Sequence, residues 1–175
     1  MKSRSIDITK LKTGDILHCK RETVLSKLIR WFTRSDFANH TALVVECWGQ
    51  IYVVDAQKDG VNPRPIKDWC KTYRYEVIVA RPNLGPKDPK AFSIRAFTKV
   101  GHTGYDFKSL ILKYPTWAIT GKWKKELDPE EKMFCSEYVA WVWQIENSER
   151  IDPHMLFKHT QSSTQFKHFE LLWEK

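Results

Sequence analysis

The sequence predicts an α+β fold, and three observations carry that expectation. Thr41–Cys47 (TALVVEC) and Ile51–Ala56 (IYVVDA) are β-branched, apolar runs separated by a short segment containing Gly49, which reads as a β-hairpin. MFCSEYVAWVWQ, from Met133, has the length and composition of a buried helix. Neither half of the chain holds enough strands to stand alone, and no internal repeat appears, so residues 1–175 are expected to form a single domain.

The remaining elements follow in order. ILHCK after Gly14–Asp15 reads as a short strand. From Thr23, a plausible N-cap, Val24, Leu25, Leu28, Ile29 and Phe32 recur at helical spacing with Trp31 beside them, predicting an amphipathic helix docked on a sheet. Asp59–Gly60 reads as a turn, after which Pro63 and Pro65 break the chain. Tyr73–Arg81 is the next strand, and a Pro/Lys-rich loop over 82–90 leads into a helix from Pro89 to about Lys99. GHTGYDF reads as a loop, followed by a helix from Ser109 to about Ile119. Beyond Pro153 a short helix or turn precedes a closing strand over Phe166–Trp173.

Composition narrows the function classes. With 42% hydrophobic and 13% aromatic residues, disorder is excluded as the dominant state. The longest apolar runs, such as Tyr138–Trp143, fall far short of the roughly 20 residues that a spanning helix needs. MKSRSIDITK at the start has charge without the apolar stretch of a secretory signal, so the expected compartment is the cytoplasm. The formal charge is +8 and the pI about 9.3. That surplus permits contact with an anionic membrane or nucleic acid but makes neither obligatory. The densest basic cluster, Lys122, Lys124 and Lys125 around Trp123, reads as a solvated loop before it reads as a phosphate patch.

Four cysteines, at 19, 47, 70 and 135, show no CxxC pair and no zinc-ligand spacing with histidine, so neither a metal nor any cofactor is expected. Cys19, Cys47 and Cys70 read as packing residues. Cys135 differs because it opens a helix, sharing its inward face with Val139 and Val142. Unpaired N–H groups and the helix dipole favour a thiolate there, and the same N–H groups can hold an oxyanion. The alternative is a small buried residue in a first turn.

A thiolate nucleophile needs an imidazole, and the imidazole needs a polar group to orient it. His40 opens the first hairpin strand. An even-numbered hairpin loop puts it on the same face as Asp55: a four-residue loop sets Asp55 directly across. A two-residue loop sets Gln57 across, with Asp55 on the diagonal at roughly 7 Å. His18, beside Cys19, is a weaker candidate; His102 sits in a glycine-flanked loop, and His154, His159 and His168 read as surface residues.

The succession GDIL, SDFANHTALVVE, VVDAQKDGV, GHTGYDF and FCSEYVAWVW resembles the permuted branch of the NlpC-like, papain-like cysteine hydrolases, in particular YiiX-like proteins. The resemblance runs from about Thr13 to Phe169 and includes the closing segment IDPHMLFKHTQSSTQF. It implies a small antiparallel sheet or half-barrel packed against helices, circularly permuted relative to papain. It also implies Cys135 as nucleophile, His40 as general base and Asp55 as third residue, where the family often has Glu. Gln57 is a candidate to share that third role or to bind substrate, and Tyr105 matches a position that lines the cleft. The implied activity is cleavage of an amide or peptide-like bond through a thioester. Lipid acyl chemistry stands second, with peripheral membrane contact suggested by Trp117, Trp123, Trp141 and the basic surplus. A non-catalytic module for an anionic partner is the rival from another class.

Overall fold

The computed structural model describes residues 5–72, 76–105, 120 and 132–172. Seven strands form one sheet: β1 (Ser5–Asp7), β2 (Ile16–Lys20), β3 (His40–Cys47), β4 (Gln50–Gln57), β5 (Gly60–Pro65), β6 (Glu76–Pro82) and β9 (Phe166–Leu172). Their order across the sheet is β1-β9-β6-β2-β3-β4-β5. Every pairing in it is antiparallel except β1 with β9. A separate parallel pair joins β7 (Gly104–Tyr105) to β8 (Lys132–Met133). The helices are α1 (Val24–Thr33), α2 (Ile66–Thr72), α3 (Pro89–Thr98), α4 (Cys135–Val142) and α5 (Pro153–Ser162). The whole is an α+β arrangement in which a curled half-barrel sheet packs against helices.

Both faces of the sheet are buried, which is why TALVVEC reads as a continuous apolar run rather than an alternating one. On one face Leu17, Cys19, Ala42, Val44, Val53, Val77 and Val79 pack with Trp69 and Cys70 of α2. On the other, Ile16, Leu43, Val45, Val54 and Ala56 meet Phe92 and Ala96 of α3, Tyr138, Val139 and Val142 of α4, and Leu156 of α5. Asp15, 1% exposed, anchors the middle of the sheet: Arg81 donates to both its oxygens at 2.8 and 2.6 Å and also to the Lys10 carbonyl.

Two expectations are corrected here. The prolines at 63 and 65 do not end the strand region; Gly60–Pro65 pairs with β4 from Gln57↔Gly60 to Tyr52↔Pro65. β5 is the edge of the sheet, where a residue without an N–H forfeits no ladder bond on its outer side. α1 forms where predicted, with Thr23 Oγ1 accepting the Ser26 N–H, but its apolar stripe does not dock as a unit. Ser26, Ile29 and Thr33 turn inward, whereas Val24, Leu28 and Trp31 are 84, 48 and 72% exposed. The helix expected over 109–119 and the basic cluster around Trp123 lie outside the described residues. Among the described residues no helix is long and apolar enough to cross a membrane.

His18 is fully buried on the α5 side of the sheet, edge-on to Phe157 at 5.0 Å between ring centroids. Thr160 spends its hydroxyl proton on the Phe157 carbonyl (2.9 Å), so His18 Nε2–H donates to Thr160 Oγ1 at 3.1 Å. Burial, aided by the nearby His168, pushes the His18 pKa down to about 3. The folded protein therefore refuses a proton that the unfolded chain accepts below about pH 6.5, and stability declines on acidification. Urea unfolding between pH 6 and 5 should show the parent losing about 1 kcal/mol per pH unit more than His18→Gln. Parallel pH dependences of parent and variant would contradict this assignment. His154 and His168 are half-buried, in contrast to the surface reading, and His159 is exposed.

Candidate active site

Three local features bring the predicted residues together. The end of β2 is clamped to the start of β3 by Asn39, itself 2% exposed. Its N–H donates to the Cys19 carbonyl (3.1 Å), its Oδ1 accepts the Arg21 N–H (2.9 Å), and its Nδ2 donates to the Arg21 carbonyl (2.8 Å). His40 is thereby fixed opposite Cys19. The hairpin is closed by a two-residue loop, with Cys47 opposite Gln50 and positive φ at both Trp48 (50°) and Gly49 (72°), the backbone of a type I′ turn.

With that register, counting along the hairpin brings Gln57 level with His40 and leaves Asp55 one diagonal step away. The diagonal contact is the one that forms. His40 Nε2 lies 2.7 Å from Asp55 Oδ2, and Gln57 Nε2 donates to the same oxygen at 2.9 Å. Gln57 thus holds the carboxylate. Ladder pairing between β3 and β4 runs only as far as Leu43↔Val54. Past that point the Thr41 N–H is directed at the sulfur of Cys135, at the N-terminus of α4.

α4 starts at Cys135 after Phe134, whose side chain provides no cap; instead the Glu137 carboxylate accepts the Phe134 N–H at 3.3 Å. Tyr138, one turn on, fixes the helix by donating to the Ala96 carbonyl at 2.8 Å. Cys135 is 3% exposed and His40 4%. The two side chains are hydrogen-bonded to each other, and with Nε2 on Asp55 the nitrogen left for sulfur is Nδ1.

The charges are mutually arranged. Burial opposes the Cys135 thiolate, but the charge and hydrogen bond of His40, the Thr41 N–H and the charge of Arg21 outweigh it, and the thiol sits below its ordinary value. Burial and Arg21 oppose the His40 imidazolium, yet the Cys135 thiolate and Asp55 raise its pKa above the ordinary value. Asp55, with no exposed surface, is held below the usual carboxylate range against the effect of burial by His40, Arg64 and Gln57. By contrast burial alone pushes Cys70 up to about 11, and burial also raises Cys19.

Sequence reasoning missed Arg64 and Trp69. Arg64 Nη2 donates to Asp55 Oδ1 at 3.0 Å, and Trp69 Nε1 lies 3.5 Å from Oδ2. Both lie beyond Gly60 in a stretch read as broken by proline; an arginine between two prolines on an edge strand was the available signal. Arg21 was missed as well. Gly104–Tyr105 forms β7, but the Tyr105 side chain, the predicted cleft-lining group, lies outside the described residues.

No family profile matches the sequence, and no curated protein matches it. Among solved structures, the crystal structure of metalloprotein YiiX from Escherichia coli O157:H7 (DUF1105) superposes with a TM-score of 0.64 at 20% identity, covering 93% of this chain and 98% of that one. This chain shares the YiiX fold. At that identity the similarity is one of architecture, and the chemistry rests on the residues just described.

Proposed function

We propose that the chain is a thiol hydrolase of the permuted, NlpC-like papain type that cleaves an amide or peptide-like bond. The observation that carries this reading is the hydrogen-bonded series Cys135–His40–Asp55 at the N-terminus of α4. His40 takes the Cys135 proton, and the thiolate attacks the acyl carbonyl. The tetrahedral oxyanion is held by first-turn N–H groups of α4. Collapse expels the amine, which leaves with the proton from His40, and water activated by the freed imidazole then releases the acid from the thioester. Asp55 fixes the tautomer and orientation of His40 throughout.

YiiX is called a metalloprotein. Among the described residues no three of His, Cys, Asp and Glu gather closely enough to hold a metal. Cys135 and His40 offer one sulfur and one nitrogen, and Asp55 is engaged on the far side of the imidazole. No step of the scheme runs through a metal.

Cleavage of a lipid acyl bond is the second reading, favoured by the exposed apolar residues of α1, the helix that connects β2 to the strand opened by His40. A non-catalytic module predicts a pair out of register or occluded; the pair is in register but nearly closed to solvent, so the test must be chemical. Labelling with peptidyl and acyl electrophiles near neutral pH, located by mass spectrometry, should place the adduct on Cys135, and Cys135→Ala should remove it. An adduct mainly on the half-buried Cys47, or equal labelling of the Ala variant, would end the hydrolase reading.

A further inference from the structure

We propose that the outer face of α1 docks the protein on an anionic lipid bilayer, at the end of the sheet that carries the thiol–imidazole pair. Val24, Leu28 and Trp31 stand at i, i+4 and i+7, so their side chains form one stripe along the helix. They are 84, 48 and 72% exposed, in a helix whose opposite side is closed by Ser26, Ile29 and Thr33. Phe32, half-buried, lies edge-on to Trp31 at 4.8 Å and broadens the stripe. Scattered exposed apolar residues need no explanation, but three in register with an aromatic flank form a surface suited to the acyl–headgroup boundary.

Charge chooses the occupant. Residues 20–36 hold five basic residues (Lys20, Arg21, Lys27, Arg30, Arg34) and two acidic ones (Glu22, Asp36). Lys27, next to the stripe on the helix surface, keeps its side chain 63% exposed with its Nζ 3.9 Å from Glu22 Oε2, and Arg34 is exposed at the helix C-terminus. Arg30 is tied back to Glu22 at 3.0 Å. A second copy of the chain seated on this face would bring the two sets of basic groups together, whereas phosphate headgroups neutralise them. An apolar stripe flanked by lysine and arginine is the pattern of a helix lying in a membrane surface, and each basic group near an anionic leaflet adds to the attraction.

The location gives the contact its consequence. α1 is the connection between β2 and β3; it begins three residues after Arg21, and residues 34–39 lead from it directly into His40. α1 therefore joins the sheet at the end where His40 and Cys135 meet, and a bilayer seated on α1 is held at that end of the protein. The docking inference does not depend on the hydrolase reading, but if both hold, an acyl chain or lipid-borne amide is delivered to the thiol from the membrane side.

Flotation of the full chain with vesicles of phosphatidylcholine alone, or with about 30 mol% phosphatidylglycerol, tests this. The parent should bind the anionic vesicles about tenfold or more better than the neutral ones, less so at roughly 0.5 M salt. Leu28→Ser with Trp31→Ser should reduce binding about tenfold or more at either salt, with circular dichroism and the Cys135 alkylation rate unchanged. Lys27→Glu with Arg34→Glu should weaken low-salt binding and flatten its salt dependence. Cys135→Ala should float like the parent, which separates failure of docking from failure of the hydrolase reading. Absence of vesicle binding by the parent would overturn the proposal. So would full binding by the double-serine variant, or a parent dimer in gel filtration that the serines dissociate while vesicles are ignored.

Discussion

His40→Ala should slow iodoacetamide alkylation of Cys135 more than tenfold near pH 7 and abolish turnover of any acyl substrate, with a loss on the order of 10³-fold or more. The Cys135 thiol sits below its ordinary value because the imidazolium stabilises the thiolate against burial, which otherwise disfavours charge at a position 3% exposed. Removing the imidazole leaves desolvation in command, with only the Thr41 N–H and Arg21 opposing it, so the thiol pKa climbs toward or above its ordinary value. The sign follows for the pH profile. The lowered Cys135 pKa and the raised His40 pKa both favour the thiolate–imidazolium pair, and alkylation in the parent begins on the acid side of the ordinary thiol range. In the variant that early rise disappears, and reaction starts only as pH approaches the alkaline region. A rate–pH profile of Cys135 modification, read by mass spectrometry, checks this without a known substrate. An unchanged profile would mean that His40 and Cys135 are neighbours without being chemically linked.

How much of this arrangement the sequence discloses depends on the range of the interaction. Local signals are reliable here: Thr23 caps α1, Asp88 and Pro89 open α3, and the two positive-φ residues close the hairpin. The hairpin parity that joins His40 to Asp55 is also local, since it needs only an even loop; choosing between two and four residues required the backbone of Trp48–Gly49. What stayed hidden is long-range or depends on which side is covered. β5 was obscured because proline is judged by the ladder bond it lacks, and only the sheet order tells that β5 is an edge. The apolar period of α1 defined a helix without telling which side meets the protein, and the core takes Ser26, Ile29 and Thr33 while Trp31 points out. Arg64 and Trp69 converge on Asp55 from a strand and a helix that the sequence reading did not contain.

Asp55→Ala should cost about 3 kcal/mol in urea unfolding at pH 7, the largest stability effect of any single change at the site. Asp55 has no exposed surface, and its two oxygens accept from His40, Gln57 and Arg64, with Trp69 Nε1 at 3.5 Å. Alanine withdraws the acceptor from all of them while Arg64, its side chain 25% exposed, keeps its charge at the edge of the cavity; that partial exposure places the cost at the lower end for a broken buried pair. Pairing the change with Arg64→Met should return part of the loss, because the charge then goes with its partner. The linkage signs are opposite for the two members of the His40–Asp55 pair. Asp55, with its pKa depressed, contributes stability that is present above about pH 4 and lost as the pH falls through its folded value. His40, with its pKa raised, contributes stability that is complete below about pH 6.5 and lost as the pH rises through its folded value. The isosteric Asp55→Asn separates charge from shape: it retains a carbonyl oxygen for Nε2–H but removes the charge that supports the imidazolium. The acid-side rise of the alkylation profile should then move to higher pH as the ion pair weakens. If Asp55→Asn shifts that rise, the carboxylate acts on the thiol through His40; if the rise is unmoved while stability falls, Asp55 holds the strands together and no more.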